Sequence, residues 1–411
     1  MKYLSPYLFN AIYIATVYWL INIVCSEFGY ISGYGCDIGF KSSHVYHAFM
    51  AWFGGLFLNY KGKKPGDLIL VFLYYFSLVP TILYLPKQVV GNDFIILVYS
   101  LYILFCFIFI SYFNNKIKIK FPLVDIDYKW LIGFIYFLVV TCFFILIFNL
   151  GFTLTLPDIT DVYGVRAEFK ESSNIYVGYA TMLGGYLFSP LLFILALKQS
   201  NKWLKVIFIF TSISLSYVIF TSSGLKSIAF SLFVVLFFYF SLRNINNFGY
   251  FFSIFLPSFI IINIVVFKLM GIKIVVLHWL RRVIVAPGSN GAKFFEYFVV
   301  YNNENTKYAP HLISEYYYNT IGSANSGFFG EAVGRFGWHG LIINSFILLL
   351  ILIFSNSLTK YIGANILCAL MILIGYALCN SSFYTVLLSY GFIPCILILY
   401  LFSYSGYLRK S

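Results

Sequence analysis

Stretches of about 20 largely apolar residues recur from one end of the chain to the other, and this recurrence limits the fold more than any single motif. A helix needs roughly 20 such residues to cross a hydrocarbon core of about 30 Å. Twelve windows qualify: 7–25, 44–60, 67–86, 94–113, 130–150, 176–197, 203–221, 225–242, 249–269, 338–354, 361–379 and 385–404. Within a bilayer the backbone must satisfy its own hydrogen bonds, so each window is read as a helix. Window 44–60 is short and begins with two histidines, and 338–354 follows a glycine-rich approach. Charged residues make up 10% of the 411 and hydrophobic residues 61%, whereas a soluble domain carries about 25% charged. A water-soluble globule is excluded, and so is one span carrying a soluble domain. The expected class is all-α: a polytopic integral membrane protein, one membrane domain over 1–411 with about 12 transmembrane helices.

The formal charge of +13, from 27 basic and 14 acidic residues, would point to nucleic acid in a soluble protein. In a membrane protein it is first a topology signal, because short cytoplasmic loops collect Lys and Arg. With the N-terminus in the cytoplasm, alternation puts 15 basic residues inside and 12 outside. Seven of the outer ones fall in one long loop, which is exempt, so the comparison is 15 against 5. Dropping window 44–60 would move Lys61, Lys63 and Lys64 outside and spoil the bias, so it is retained. Both termini are expected in the cytoplasm, and no nucleic-acid partner is needed to explain the charge.

The seven cysteines show neither CxxC nor Cys/His spacing, so no metal or other cofactor is expected. Cys36 falls in a loop and Cys25 at a helix edge, which makes them the one candidate disulfide pair. The first apolar run lacks a small-residue cleavage site and is expected to remain as a span. The 22% aromatic content is assigned to lipid-facing helix surfaces.

Two outer segments are too long to be simple connectors, at about 151–175 and 270–337. The second contains VVLHWLRRVIV, a Pro287–Gly288 break, SNGAKFFEYFVVYN with Ser289 placed as an N-cap, and HLISEYYYN. These read as short amphipathic helices lying at the interface, apolar face down. The spans hold almost no ionisable residues, which argues against an ion-driven carrier. Recognition is therefore expected at the outer mouth.

Arg166 lies in DVYGVRAEFKESSN, where it either pairs with its own acidic neighbours or clamps an anion through its planar fork. Arg281 and Arg282 are adjacent, so on a helix only one can face a given cavity; snorkelling to headgroups and pyrophosphate binding both fit. His278 shares a helix face with them. Lys226 closes the short hairpin FTSSGLKS, either as an ordinary interfacial turn or as a small cationic cradle on a rigid support. His311 and Glu315 are four apart on one predicted helix face, a spacing that suits a general base and is also common. Asn325, Arg335 and His339 belong to GSANSGFFGEAVGRFGWHG, whose glycines fit tight helix entry or close approach to a ligand.

The twelve-span layout, the two outer loops, the hairpin TSSGLKS and the stretch NSGFFGEAVGRFGWHG together resemble the bacterial O-antigen polymerases of the Wzy type. The resemblance implies a GT-C-like integral membrane glycosyltransferase. Such enzymes join oligosaccharide repeat units carried on undecaprenyl diphosphate, at the periplasmic face of the inner membrane, without a metal or nucleotide sugar. It also implies a chain-length regulator as partner, besides the lipid-linked oligosaccharide and the bilayer. The family's outer-loop arginines would be matched by Arg166 and by Arg281 or Arg282. Its Ser-Arg-type hairpin would be matched at Lys226, a departure that keeps the charge and loses the bidentate fork. His311 stands where related ligases use a loop histidine. Catalytic roles are thus expected for Arg166, Arg281, Arg282, His311 and Glu315, and substrate-binding roles for Lys226, Asn325, Arg335 and His339. An O-antigen ligase, a capsule or exopolysaccharide polymerase, and a repeat-unit flippase are the competing expectations.

Overall fold

The computed structural model describes residues 5–29, 39–89, 93–151, 162–244, 247–303, 308–319, 322–405 and 407–408. Among these, every regular element is a helix. In chain order they begin with α1 (Ser5–Phe28), α2 (Ser42–Gly54), α3 (Pro65–Gln88), α4 (Asp93–Lys116) and α5 (Tyr128–Leu150). Next come α6 (Val162–Ser172), α7 (Ile175–Lys198), α8 (Lys202–Ser223), α9 (Ser231–Asn244) and α10 (Phe248–Met270). The remainder are α11 (275–300), α12 (Ala309–Tyr318), α13 (Gly327–Phe336), α14 (Trp338–Leu358), α15 (Ala364–Asn380), α16 (Phe383–Leu388) and α17 (Phe392–Ser405).

Among the described residues nine stretches are long and apolar enough to cross a membrane: α1, α3, α4, α5, α7, α8, α10, α14, and α16 with α17. The other three expected spans correspond to α2, α9 and α15, with 13, 14 and 17 residues. At about 1.5 Å per residue each is shorter than a bilayer core. The chain is an all-α polytopic membrane protein, with nine full-length apolar helices among the described residues.

The chain divides into two compact units. The first comprises Met1–Lys118, Asn246–Ile353 and Gly375–Phe383; the second comprises Ile119–Ile245, Phe354–Ile374 and Tyr384–Ser411. In the first unit α1 packs along α10, and α2 packs between α3 and α4. The middle of α11 lies against the last turns of α3 and against α13. Small residues permit this approach, since a Cβ on Gly288 would stand 2.6 Å from the Pro80 carbonyl oxygen. One on Gly330 would stand 2.9 Å from the Gly291 Cα. Close backbone contact of this kind substitutes for the hydrophobic drive that lipid does not supply.

In the second unit α7 and α8 form the main pair. Buried serines join them: Ser189 Oγ donates to the Ser212 carbonyl at 2.8 Å and Ser212 Oγ donates back to the Ser189 carbonyl at 2.8 Å. Ser189 and Ser216 hydroxyls are 2.7 Å apart. α5 packs on α7 and α8, and α9 on α7.

The segment 270–337 departs from the expectation of short interfacial helices. α11 runs unbroken from 275 to 300 as a π-helical stretch to Val285, an α-helical stretch over Ala286–Phe295 and a π-turn to Val300. Pro287 does not interrupt it, because its missing N–H falls in the first turn after the wide π geometry gives way to α. Ser289, expected as an N-cap, is instead fully buried within the helix. Every residue from Pro287 to Phe295 is buried, and so is every residue from Gly327 to Gly334. Both stretches form part of the core of the first unit instead of resting apolar face down on a surface.

Helix ends sort consistently within each unit. In the first, Lys268 pairs with Glu27 at 3.0 Å, joining the ends of α10 and α1. At the opposite ends, the Asp67 carboxylate accepts from Asn59 at 3.4 Å and from Asn114 at 3.3 Å. In the second unit Asn174 Nδ2 donates to Asn149 Oδ1 at 3.0 Å, while the far ends meet through stacked Tyr128 and Tyr407. Each pairing joins ends that alternation of spans puts on one side.

Candidate functional site

The hairpin carrying Lys226 is built by one residue in the left-handed region. α8 ends at Ser223, and Gly224 takes φ 63 and ψ 18, with its N–H donating to the Phe220 carbonyl at 2.9 Å. This closes the helix with a left-handed cap that a residue with a Cβ adopts reluctantly. Lys226 then opens a single helical turn, Lys226–Ala229. Ser227 Oγ meets the Tyr186 hydroxyl at 2.9 Å, which ties the hairpin to α7.

Arg166, from the other predicted loop, sits on this hairpin. It lies on α6, is half-buried, and its Nη2 donates to the Gly224 carbonyl at 3.1 Å. The exposed carbonyls at a helix C-terminus carry partial negative charge and attract a guanidinium. Two residues selected independently from the sequence therefore come together at the end of α8. Alongside, an apolar groove of about 410 Å³ opens between α7, α8 and α9. Phe193, Tyr217, Phe220, Ala229, Phe233 and Leu236 line it, and Phe220 and Ala229 each lie within a turn of the hairpin.

In the first unit Arg335 is held by a carboxylate. Its Nε donates to Glu331 Oε1 at 2.9 Å, and the Glu331 side chain is 1% exposed against 35% for Arg335. Glu331 also accepts from the Ser382 hydroxyl and from the Phe383 backbone N–H, so it caps the start of α16. A buried carboxylate with three donors is well satisfied, and it fixes the plane of the arginine at the surface. His339 is exposed two residues beyond Gly337, whose φ of 57 turns α13 into α14.

Beneath α12 lies a second buried polar group. Lys293, 1% exposed, places Nζ 4.0 Å from the Tyr318 ring centroid and 5.3 Å from that of Tyr317. Glu296, one turn on and 4% exposed, accepts from the Tyr317 hydroxyl at 2.7 Å and from Tyr301 at 3.3 Å. The Tyr318 hydroxyl donates to Asn290 Oδ1 at 2.6 Å, and Asn290 Nδ2 donates to the Asn325 carbonyl at 2.8 Å. Burial drives the Lys293 ammonium down to about 7, opposed by the nearby Glu296 carboxylate. Burial and the same carboxylate push the Tyr317 hydroxyl up, so it stays protonated.

The other sequence candidates are more dispersed. Arg281 is half-buried, and Arg282 and His278 are exposed, all on the first stretch of α11. His311 is half-buried on α12 with Nε2 3.4 Å from Ser323 Oγ, and Glu315 on the same helix is exposed. Asn325 contributes its carbonyl, not its side chain, to the Asn290 contact. Among the described residues no three His, Cys, Asp or Glu side chains gather as a metal site. Cys25 is disulfide-bonded, and its sequence-expected partner Cys36 lies outside the described residues.

Glu331, Lys293, Glu296 and the paired tyrosines were not singled out from sequence. For Glu331 a signal was present: it precedes Arg335 by four on one helix. A further group, also unanticipated, surrounds Lys87, which is 3% exposed. Its Nζ donates to Asn22 Oδ1 at 2.7 Å and lies 4.3 Å from the Tyr18 ring centroid, while the Tyr18 hydroxyl meets His44 Nδ1 at 3.1 Å. Comparison with protein-family models, with curated proteins and with solved structures finds no match.

Proposed function

We propose that this chain is an integral membrane glycosyltransferase of the O-antigen polymerase type. It joins undecaprenyl-diphosphate-linked oligosaccharide repeat units at the periplasmic face of the bacterial inner membrane, in lipopolysaccharide biosynthesis. The observation that carries this reading is the seating of Arg166 on the Lys226 hairpin beside an apolar groove. That combination suits an amphiphile with a polyanionic head and a long hydrocarbon tail. The positive-inside count supports cytoplasmic termini and an outer-facing site. The disulfide at Cys25, near the end of α1, suits an oxidising compartment on that same side.

In the reaction, a hydroxyl of one repeat unit attacks the anomeric carbon of the growing chain. The new carbon–oxygen bond forms as the bond to undecaprenyl diphosphate breaks, and the hydroxyl proton passes to a base. The leaving diphosphate takes the electron pair, so cations aimed at it are worth most in the transition state. Arg166 and Lys226 take that role. Asn325 and His339 are candidates for sugar contacts.

The test is the lipopolysaccharide pattern of strains carrying single variants. Arg166→Ala is expected to insert normally and leave lipopolysaccharide with one repeat unit. Long chains persisting in both Arg166→Ala and Lys226→Ala would sink the anion-clamp reading. Loss of even the single unit on deletion would identify a ligase instead.

A further inference from the structure

The end of α11 and the open side of α12 expose three large side chains: Tyr301 at 47%, Tyr308 at 39% and Tyr316 at 56%. Over most of the molecule the exposed large side chains are Phe, Leu, Ile and Val, as expected of surfaces against lipid. Among the described residues between 296 and 319, the exposed large side chains are all tyrosines. A ring with a polar tip suits a partner that is partly apolar and partly hydrogen-bonding.

The surroundings narrow the partner. Asn302 and Asn319 are exposed, both at φ 50, and Glu315 is exposed on α12 with His311 one turn before it. The exposed carboxylate of Glu315 on this face disfavours an anionic headgroup. A pyranose ring is a better match, because its C–H faces carry partial positive charge and lie on the negative face of an aromatic ring. Its hydroxyls reach amide, carboxylate and imidazole groups of the kind found here.

The surface is also firmly mounted. The Tyr316 ring packs edge-on against Tyr297 at 5.1 Å and against Tyr317 at 4.9 Å. Tyr317 is held by Glu296, and Tyr318 by Lys293 and Asn290. Burying a lysine and a glutamate to fix two tyrosines is costly unless the surface above must keep its shape. Pre-set rings lower the entropy lost when a flexible chain binds.

We propose that this face is a glycan-binding platform that holds the polysaccharide during extension; the identity of the glycan rests on the polymerase reading. The experiment uses the full chain in nanodiscs and, as probe, the source bacterium's own surface polysaccharide freed of lipid by mild acid. The wild type is expected to bind it. The double variant Tyr301→Ala/Tyr316→Ala should bind about tenfold more weakly or worse, while Tyr316→Phe, which keeps the ring, stays within about twofold. Unchanged binding by the double variant overturns the platform. So does a double variant that loses affinity for short-chain phosphatidylglycerol and not for glycan, which would make the face a headgroup belt. Arg166→Ala separates the two readings: unaltered chain length with glycan binding intact counts against the polymerase and leaves the platform standing.

Discussion

The two units hold their principal arginines in opposite ways. Arg335 is fixed by a buried carboxylate that itself ties two segments of the first unit, through Ser382 and Phe383. Arg166 leans on a backbone carbonyl at a helix end of the second unit. A carboxylate can be removed by one substitution, whereas a carbonyl cannot. The first arrangement therefore couples the placement of the arginine to stability, and the second leaves them separable.

The largest expected effect follows from that coupling. Glu331→Ala removes the cap of α16 and leaves the Ser382 hydroxyl and the Phe383 N–H without their acceptor, at about 1–3 kcal/mol for each buried donor. Thermal unfolding in detergent should show a lowered midpoint, with Arg166→Ala changing it little because its contact is half-exposed. Equal destabilisation by the two variants would erase the distinction. Next in size is catalysis. Arg166→Ala should reduce polymer formation by reconstituted protein about 100-fold, and Arg335→Ala is measured beside it. A loss confined to Arg166→Ala would restrict the clamp to the second unit.

A smaller effect concerns pH. The folded Lys293 gives up its proton near 7, well below the ordinary lysine value. Below that value the ammonium is present in both folded and unfolded chains, and its burial penalty is fully felt. As pH rises from about 7 towards the unfolded lysine value the folded chain deprotonates first, so stability increases. Lys293→Met should flatten this rise in unfolding curves taken from pH 7 to pH 10. If the wild type becomes steadily less stable over the same range and the variant follows it, the lysine contributes nothing. Smallest is Gly224→Ala, which forces a Cβ into the left-handed region at a cost of about 1 kcal/mol. Its signature is a few-fold loss of polymer, visible as shortened ladders, with no comparable effect from Gly133→Ala in an open helix position.

Much of the architecture was legible because lipid imposes simple rules. Apolar length located α1, α3, α4, α5, α7, α8, α10, α14 and the α16–α17 stretch, since a bilayer core selects for such runs. The Arg166 segment and the Lys226 hairpin stood out as sparse cations between apolar windows. The course of α11 was not. Pro287–Gly288 reads locally as a stop, and only packing against Pro80 and Thr81 of α3 carries the helix through. Lys293 and Glu296 likewise look solvent-exposed by residue type, because the tyrosines that enclose them arrive 21 to 25 residues later in the chain. Tertiary enclosure of that kind leaves no local pattern to read.

Its order of appearance has a consequence for biogenesis. α11 emerges from the ribosome before α12 and α13 exist, so Lys293 and Glu296 have no enclosure when they are made. Leaving either charge buried without those partners costs several kcal/mol. α11 therefore reaches its buried position only with the segment through Phe336 in place. The first unit is completed late, by a helix that settles against α3 only after its own cover has been synthesised.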